Sequence, residues 1–221
     1  MMTRRATAST NKSLPFLPIL VDLRNKHCLV VGAGTVAAAK IESLLHCGAR
    51  IEVVSPGAVR AISDRASAGT ITWRRRRFAP EDVRGKFLVI AATGSVRTNR
   101  AIFRASAAHG VLCNSVDDPQ RCNFFFPALV RRGPLQIAIS TGGCSPSLAA
   151  RMRRDLEVQF GPEWGRWVEH LGKLRSAILA QQTTPLARRR RLEQIATPQA
   201  FRAFLRAGAR RAGATAGNKT R

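Results

Sequence analysis

Apolar and polar residues along the first half of the chain follow two rhythms, short continuous apolar runs and longer stretches with apolar positions three or four apart. The first run, Cys28 to Val31, is rich in β-branched residues and leads straight into Gly32-Ala-Gly34-Thr-Val-Ala37. From Thr35 to Cys47 the apolar positions Val36, Ile41, Leu44 and Leu45 approximate one helical face, and Gly48 supplies a stop. The pairing then repeats. A strand over Ile51–Val54 is followed by a turn at Ser55-Pro-Gly57, a helix over 58–68 and a brief strand over Thr70–Trp73. Phe87–Ala92 reads as a buried parallel strand, Arg97–His109 as a helix and Val111–Cys113 as a fifth strand. Strands alternating with helices predict an α/β fold over residues 23–114, a parallel sheet wound in right-handed βαβ units.

The rhythm breaks at Asp117. Asn123–Val130 and Leu135–Ser140 are strand-like and flank the turn Arg131-Arg-Gly-Pro134, which predicts a hairpin rather than another crossover. Helices are expected over 146–160, 163–180, 185–196 and 198–211, punctuated by Gly161-Pro162, Thr184-Pro185 and Thr197-Pro198. The expected domain plan is a disordered leader over 1–13, a nucleotide-binding α/β domain over 14–115, a small β segment over 116–145 and a helical domain over 146–221. Hydrophobic residues make up 45% of the 221, and no apolar run approaches the ~20 residues of a membrane span. A membrane span, collagen and a wholly disordered chain are thereby excluded. The leader lacks the apolar stretch of a secretory signal.

Charge adds a demand for anionic partners, since the chain carries a formal +24. Ten basic residues and one acid, Glu193, lie between Thr183 and Arg221, so that tail carries +9 and the residues before it +15. Arg outnumbers Lys 31 to 6, which a coding bias also explains. Arg74–Arg77 and Arg188–Arg191 read as solvated faces without a site role, because no base-reading motif accompanies them, and no specific nucleic acid is expected. The five cysteines, at 28, 47, 113, 122 and 144, form no C-x-x-C pair. Reduced thiols in a cytoplasm fit them. The four histidines, at 27, 46, 109 and 170, show no ligand spacing, so no permanent metal site is expected.

Three loops could carry chemistry. Gly32-x-Gly34-x-x-Ala37, between a strand and a helix, permits a tight turn and close approach of a pyrophosphate to the helix start; the plainer alternative is a glycine turn that only packs closely. Ser55 and Pro56 stand where an acid would bind the ribose, and Glu52 lies inside the strand, so NAD and NADP stay open. Thr93-Gly94-Ser95 and Asn114-Ser-Val-Asp117-Asp118-Pro119 fall at the carboxyl ends of the fourth and fifth strands, where ligands lie in such sheets. There Asp117 is a candidate base, and Asp118-Pro119 reads as turn chemistry. Ser140-Thr-Gly-Gly-Cys-Ser-Pro146 could hold a carboxylate or phosphate on free backbone amides, or could be a helix start capped by Ser145.

Taken in order, Leu14–Leu23, Cys28–Ala37, Lys40, Gly48–Pro56, Phe87–Thr93, Asn114–Asp118, Phe126–Val130 and Ile139–Gly143 with Ser145-Pro146 resemble the precorrin-2 dehydrogenase/sirohydrochlorin ferrochelatase family, the N-terminal module of siroheme synthases. The resemblance covers residues 14–180. It implies a Rossmann-type domain, a dimerisation segment over 116–145 and a helical C-terminal domain, assembled as a homodimer around a tetrapyrrole substrate. The implied activity is NAD-dependent oxidation of precorrin-2 to sirohydrochlorin, with Fe(II) as substrate metal where siroheme is then formed. Asp117 is the implied base for both steps, and Gly32, Gly34, Thr35, Val36, Ser55, Pro56, Gly57 and Thr93 are the implied cofactor contacts. Asn114, Ser140, Thr141, Gly142, Gly143 and Ser145 are the implied substrate contacts. The family usually has Arg before the helix lysine and acids after Ala-Ala-Thr; this chain has Ala39 and Gly94-Ser95. The alternatives are a dehydrogenase without chelatase activity, a non-catalytic dinucleotide-binding module and a nucleic-acid-binding protein.

Overall fold

A computed structural model describes residues 16–181 and 183–216, and the expected leader over 1–13 lies outside the described residues. The chain divides into two compact units, one up to Phe126 and one from Pro127. In the first, five parallel strands stand in the order β3-β2-β1-β4-β5. They are β1 (His27–Val31), β2 (Arg50–Val54), β3 (Thr72–Arg74), β4 (Leu88–Ala91) and β5 (Leu112–Ser115). Helices α1 (Thr35–His46), α2 (Arg60–Ser67) and α3 (Val96–Ala108) connect them, and a single 3-10 turn, Pro80–Val83, replaces a helix between β3 and β4.

The continuous apolar runs are explained by burial on both faces. Cys28 and Val30 of β1 and Leu88 and Ile90 of β4 face one way, into a cluster with Ile41 and Leu44 of α1 and Ile62 of α2. Leu29, Val31, Val89 and Ala91 face the other way, against Val83 and Ile102 and Ala105 of α3. Each fully buried Leu, Ile or Val side chain contributes about 1.5–3 kcal/mol, so these layers hold the sheet and fix where its strands end.

The second unit opens with an antiparallel hairpin, β6 (Ala128–Arg132) and β7 (Leu135–Ile139). Two of its bounds depart from the sequence pattern. Residues 123–127 are irregular, because Phe124 and Phe126 are drawn onto the core of the first unit instead of extending β6. Arg132 pairs with Leu135, so the turn shrinks to Gly133-Pro134, with Gly133 at φ +54 as a two-residue hairpin turn requires. Four helices follow, α4 (Pro146–Gln159), α5 (Glu163–Leu179), α6 (Pro185–Ile195) and α7 (Pro198–Ala216). Val130 and Ile139 of the hairpin pack on Ala149 of α4. The Arg132 guanidinium donates to Glu157 O at 2.9 Å and Phe160 O at 2.7 Å, a cation on the carbonyl end of α4. A methyl on Gly165 of α5 would stand 2.9 Å from the Arg132 carbonyl, so only glycine lets α5 cross the hairpin so closely. Trp164 and Trp167 of α5 meet Phe201 of α7 at ring separations of 4.4 and 5.7 Å, joining the helical layer.

Candidate functional site

The strand order reverses between β1 and β4, and at such a point the connections leave on opposite faces and open a crevice beyond the carboxyl ends. Three loops of the first unit border it. After β1, Gly32 adopts φ +102 and donates its amide to Val54 O at 3.0 Å. A Cβ on Gly32 would stand 2.2 Å from the Ala92 carbonyl oxygen, so the crevice floor admits no side chain there. Gly34 differs, because a Cβ on it would meet nothing within 4 Å. It caps α1 with no side-chain acceptor for the first-turn amides, and no acid lies in that turn. Thr35 and Val36 are exposed beside it. Open space at Gly34 and uncapped amides behind it fit a bound pyrophosphate.

Ser55, Pro56 and Gly57 follow β2, and the Val59 amide donates to Ala33 O at 2.9 Å, which ties this loop to the glycine turn. Glu52 is engaged elsewhere: Lys86 Nζ lies 2.9 Å and Arg74 Nε 2.6 Å from its carboxylate. Thr93, after β4, is held from beneath by Asn99, which is 8% exposed. The Thr93 hydroxyl donates to Asn99 Oδ1 at 2.6 Å, and Asn99 Nδ2 donates to Thr93 O at 3.1 Å. Ser95 caps α3 by accepting from the Thr98 amide at 3.2 Å.

After β5 the chain turns over Ser115–Asp118, closed by the Asp118 amide on Ser115 O at 3.2 Å. Asp117 takes the third position of that turn at φ +59, a conformation glycine or asparagine would occupy more cheaply. Its carboxylate is exposed and makes no ion pair or hydrogen bond among the described residues. Asp118 instead pairs with Arg121, the turn chemistry its Pro119 suggests. Asn114 is buried, and its amide nitrogen donates to Phe124 O at 3.0 Å. Lys40 lies 4.0 Å over the Phe126 ring, and burial pushes its ammonium below the usual lysine range.

In the second unit the Ser140–Ser145 loop turns through Gly142 at φ +62 and Gly143 at φ +85. Ser140 Oγ accepts from the Gly142 amide at 3.2 Å, and Thr141 Oγ1 accepts from the Ser145 amide at 3.1 Å. Ser145 caps α4 by accepting from the Leu148 amide at 3.2 Å, ahead of Pro146 at the first helical position. The cofactor positions and Asp117 thus share the first unit, and of the substrate positions only Asn114 lies with them.

Comparison with known proteins decides the family. Residues 19–128 match the family model described as putative NAD(P)-binding, and residues 132–159 match the sirohaem biosynthesis protein central model. The siroheme synthase of Actinobacillus pleuropneumoniae serotype 3 is 37% identical over 186 residues, 84% of this chain and 38% of that protein. Siroheme synthase 1 of Pectobacterium atrosepticum is 39% identical over 180 residues, 81% of this chain and again 38% of the relative. Among solved structures, SirC, precorrin-2 dehydrogenase, superposes with a TM-score of 0.75 at 27% identity, covering 87% of this chain and 98% of that one. The chain belongs to the precorrin-2 dehydrogenase/sirohydrochlorin ferrochelatase family. It spans 38% of the length of the siroheme synthases it matches.

Three residues that shape this family member's crevice are silent in its sequence. Asn99 lies in the first turn of α3 with no motif around it, and only its partners reveal that it fixes Thr93. Cys122 accepts from the Ser115 amide at 3.2 Å and donates to Ser115 O at 3.2 Å, bracing the turn that carries Asp117. Burial pushes the Cys122 thiol up, so it stays a neutral donor there. Trp73 donates from Nε1 to Ser55 O at 3.0 Å and so fixes the loop after β2. Among the described residues no group of three or more His, Cys, Asp or Glu could hold a metal ion, and no helix is long and apolar enough to cross a membrane.

Proposed function

We propose that the chain oxidises precorrin-2 to sirohydrochlorin with NAD as hydride acceptor, and that Fe(II) insertion into sirohydrochlorin follows at the same base. The observation that carries this reading is Asp117, an exposed, unpartnered carboxylate held at φ +59 beyond β5. Strained backbone at a crevice edge points to a role for its side chain. Bound at the crevice, the dinucleotide supplies the acceptor for the hydride. Gly32 keeps the floor clear, Gly34 leaves room for the pyrophosphate, and the amides of Thr35 and Val36 at the start of α1 donate to it. Ser55, Pro56 and Gly57 border the adenosine ribose, and Thr93, fixed by Asn99, borders the nicotinamide half. β4 and β5 are paired neighbours, so the turn that carries Asp117 follows the strand beside the one that leads to Thr93.

Dehydrogenation removes a hydride and a proton, and Asp117 takes the proton. Metal insertion releases two pyrrole N–H protons as Fe(II) enters, and the same carboxylate accepts them in turn. Fe(II) is thus a substrate. Ser140, Thr141, Gly142, Gly143 and Ser145 receive carboxylates of the macrocycle, and Asn114 shapes the cleft by holding Phe124. The basic excess of the chain draws in such a polyanion. We assign dimerisation to residues 116–145, which include a two-stranded sheet whose outer edges pair with no strand among the described residues. Five free thiols are consistent with a cytoplasmic setting.

The test is anaerobic conversion of enzymatically generated precorrin-2, followed by absorbance, with wild type and Asp117→Ala. NAD-dependent sirohydrochlorin formation, lowered about 100-fold or more in the variant, is expected. A wild type that binds NAD but never turns over precorrin-2 overturns the reading in favour of a binding module. Fe(II) insertion assayed on sirohydrochlorin without NAD separates the bifunctional enzyme from a dehydrogenase alone.

A further inference from the structure

Lys86 meets the Glu52 carboxylate, Arg121 that of Asp118, and Arg132 two carbonyls at the end of α4. Each of these half-buried cations has an oxygen of the protein to offset the water it has lost. Lys40 of α1 is also half-buried, yet it has neither a carboxylate nor a carbonyl partner among the described residues. Its Nζ lies 4.0 Å from the centroid of the Phe126 ring, and burial alone pushes the ammonium below the usual lysine range. A ring face offsets part of that loss of water, but an ammonium carries three N–H donors and one ring does not use them all. Such a group gains from an anion that arrives from outside the chain.

The surroundings of Lys40 tie it to the crevice. It stands in the second turn of the helix that begins after Gly34. Its ring partner ends a short segment, Phe124–Phe126, whose other end is fixed to β5, where Asn114 Nδ2 donates to Phe124 O at 3.0 Å. Beyond β5 the Val116 amide donates to Ala91 O at 2.9 Å, and Val116 packs with Ala92 on the same core face as Phe124 and Phe126. Val116 precedes Asp117, and Ala92 precedes Thr93. The segment therefore leads from the strand that carries Asp117 to the helix that carries Lys40, on the face of the sheet that packs against α1. A flat macrocycle offered to Asp117 bears its carboxylates at its rim, away from the reacting atoms.

We propose that Lys40 receives one of these rim carboxylates and so orients the macrocycle toward Asp117, which makes it a substrate-binding residue that selects a carboxylated ring system. The inference rests on the tetrapyrrole reading above and deepens it, adding a recognition residue outside the three loops that border the crevice.

Equilibrium dialysis of sirohydrochlorin against the full chain without NAD, for wild type, Lys40→Met and Lys40→Arg, tests it. Lys40→Met keeps an apolar stem over Phe126 and removes the charge. It is expected to weaken sirohydrochlorin binding about tenfold, as the loss of one charge-assisted contact does, and to raise the KM for precorrin-2 more than it lowers kcat. NAD affinity should not change, and Lys40→Arg, which keeps the charge, should bind sirohydrochlorin more tightly than Lys40→Met. Fully methyl-esterified sirohydrochlorin offers no carboxylate and should bind wild type and Lys40→Met alike. Equal binding of the acid form by wild type and Lys40→Met, or a loss that the ester shows as well, overturns the proposal and leaves Lys40 as a cover for Phe126. A wild type that binds NAD but no sirohydrochlorin overturns the tetrapyrrole reading itself.

Discussion

Helices α1 and α4 both begin after a strand and a pair of glycines, with one hydroxyl residue at α1 and three ahead of α4, yet their first turns satisfy their hydrogen bonds differently. The start of α4 is self-sufficient: Ser145 accepts from Leu148, Thr141 accepts from Ser145, and Pro146 removes an amide that would need a partner. The start of α1 is incomplete, with Gly34 in the cap position and neither a side-chain acceptor nor an acid in the first turn. A helix whose terminal amides and positive dipole end are left to others is suited to an anion, and one that satisfies itself is suited to position. In the proposed reading the dinucleotide's pyrophosphate therefore goes to α1. In the same reading a substrate carboxylate at α4 would draw on the loop ahead of the cap, around Gly142 and Gly143.

Substitutions can break this contrast in a graded way. The largest effect is expected at Gly32, where Gly32→Ala places a methyl 2.2 Å from the Ala92 oxygen at φ +102. A loss of about 2–5 kcal/mol, read by urea unfolding, combines the overpacking and left-handed backbone costs. Gly34→Asp should act oppositely on fold and function. Its carboxylate caps α1 in open space, raising apo stability by about 0.5–1 kcal/mol, while NAD affinity drops about tenfold or more because two anions compete for one helix end. If stability rises and affinity does not fall, α1 does not bind the pyrophosphate. At the other helix, Ser145→Ala is expected to cost about 1 kcal/mol, and Ser145→Gly only a few tenths, by thermal unfolding.

The smallest effect compares the thiols leading to the two helices. Cys28 of β1 is buried and its thiol is pushed up to about 11 by burial, as is that of Cys113, whereas Cys144 is exposed in the loop before α4. Iodoacetamide at neutral pH should therefore modify Cys144 first, read by peptide mass spectrometry. Cys28 and Cys113 should react only in denaturant, since the thiolate that attacks is scarce below their raised pKa and the sulfurs are enclosed.

The parallel sheet was legible because β1, β2 and β4 repeat the same local logic, an apolar run closed within a few residues by a glycine or proline turn. β1 and β4 carry their burial on both faces in plain sequence, and Gly32 and Gly34 follow where a strand hands over to a helix. Residues 123–127 misled for a physical reason: three consecutive phenylalanines suit a strand, but two of them find the α1 face of the core first. The distinction between the two glycines was not legible either. Both satisfy one motif, and only the neighbouring backbone separates a position where no side chain fits from one where any would. Asn99, Cys122 and Trp73 escaped notice because their work depends on partners 6, 7 and 18 residues away in sequence. No periodicity encodes such pairs.

The left-handed turn at Asp117 also has a consequence for laboratory evolution. A glycine at that position would release about 1 kcal/mol of backbone strain at no cost in packing, since the side chain is exposed. A library selected for heat resistance alone should therefore accumulate Asp117→Gly, gaining melting temperature while discarding the carboxylate. Selection for turnover should restore the aspartate and accept the less stable turn.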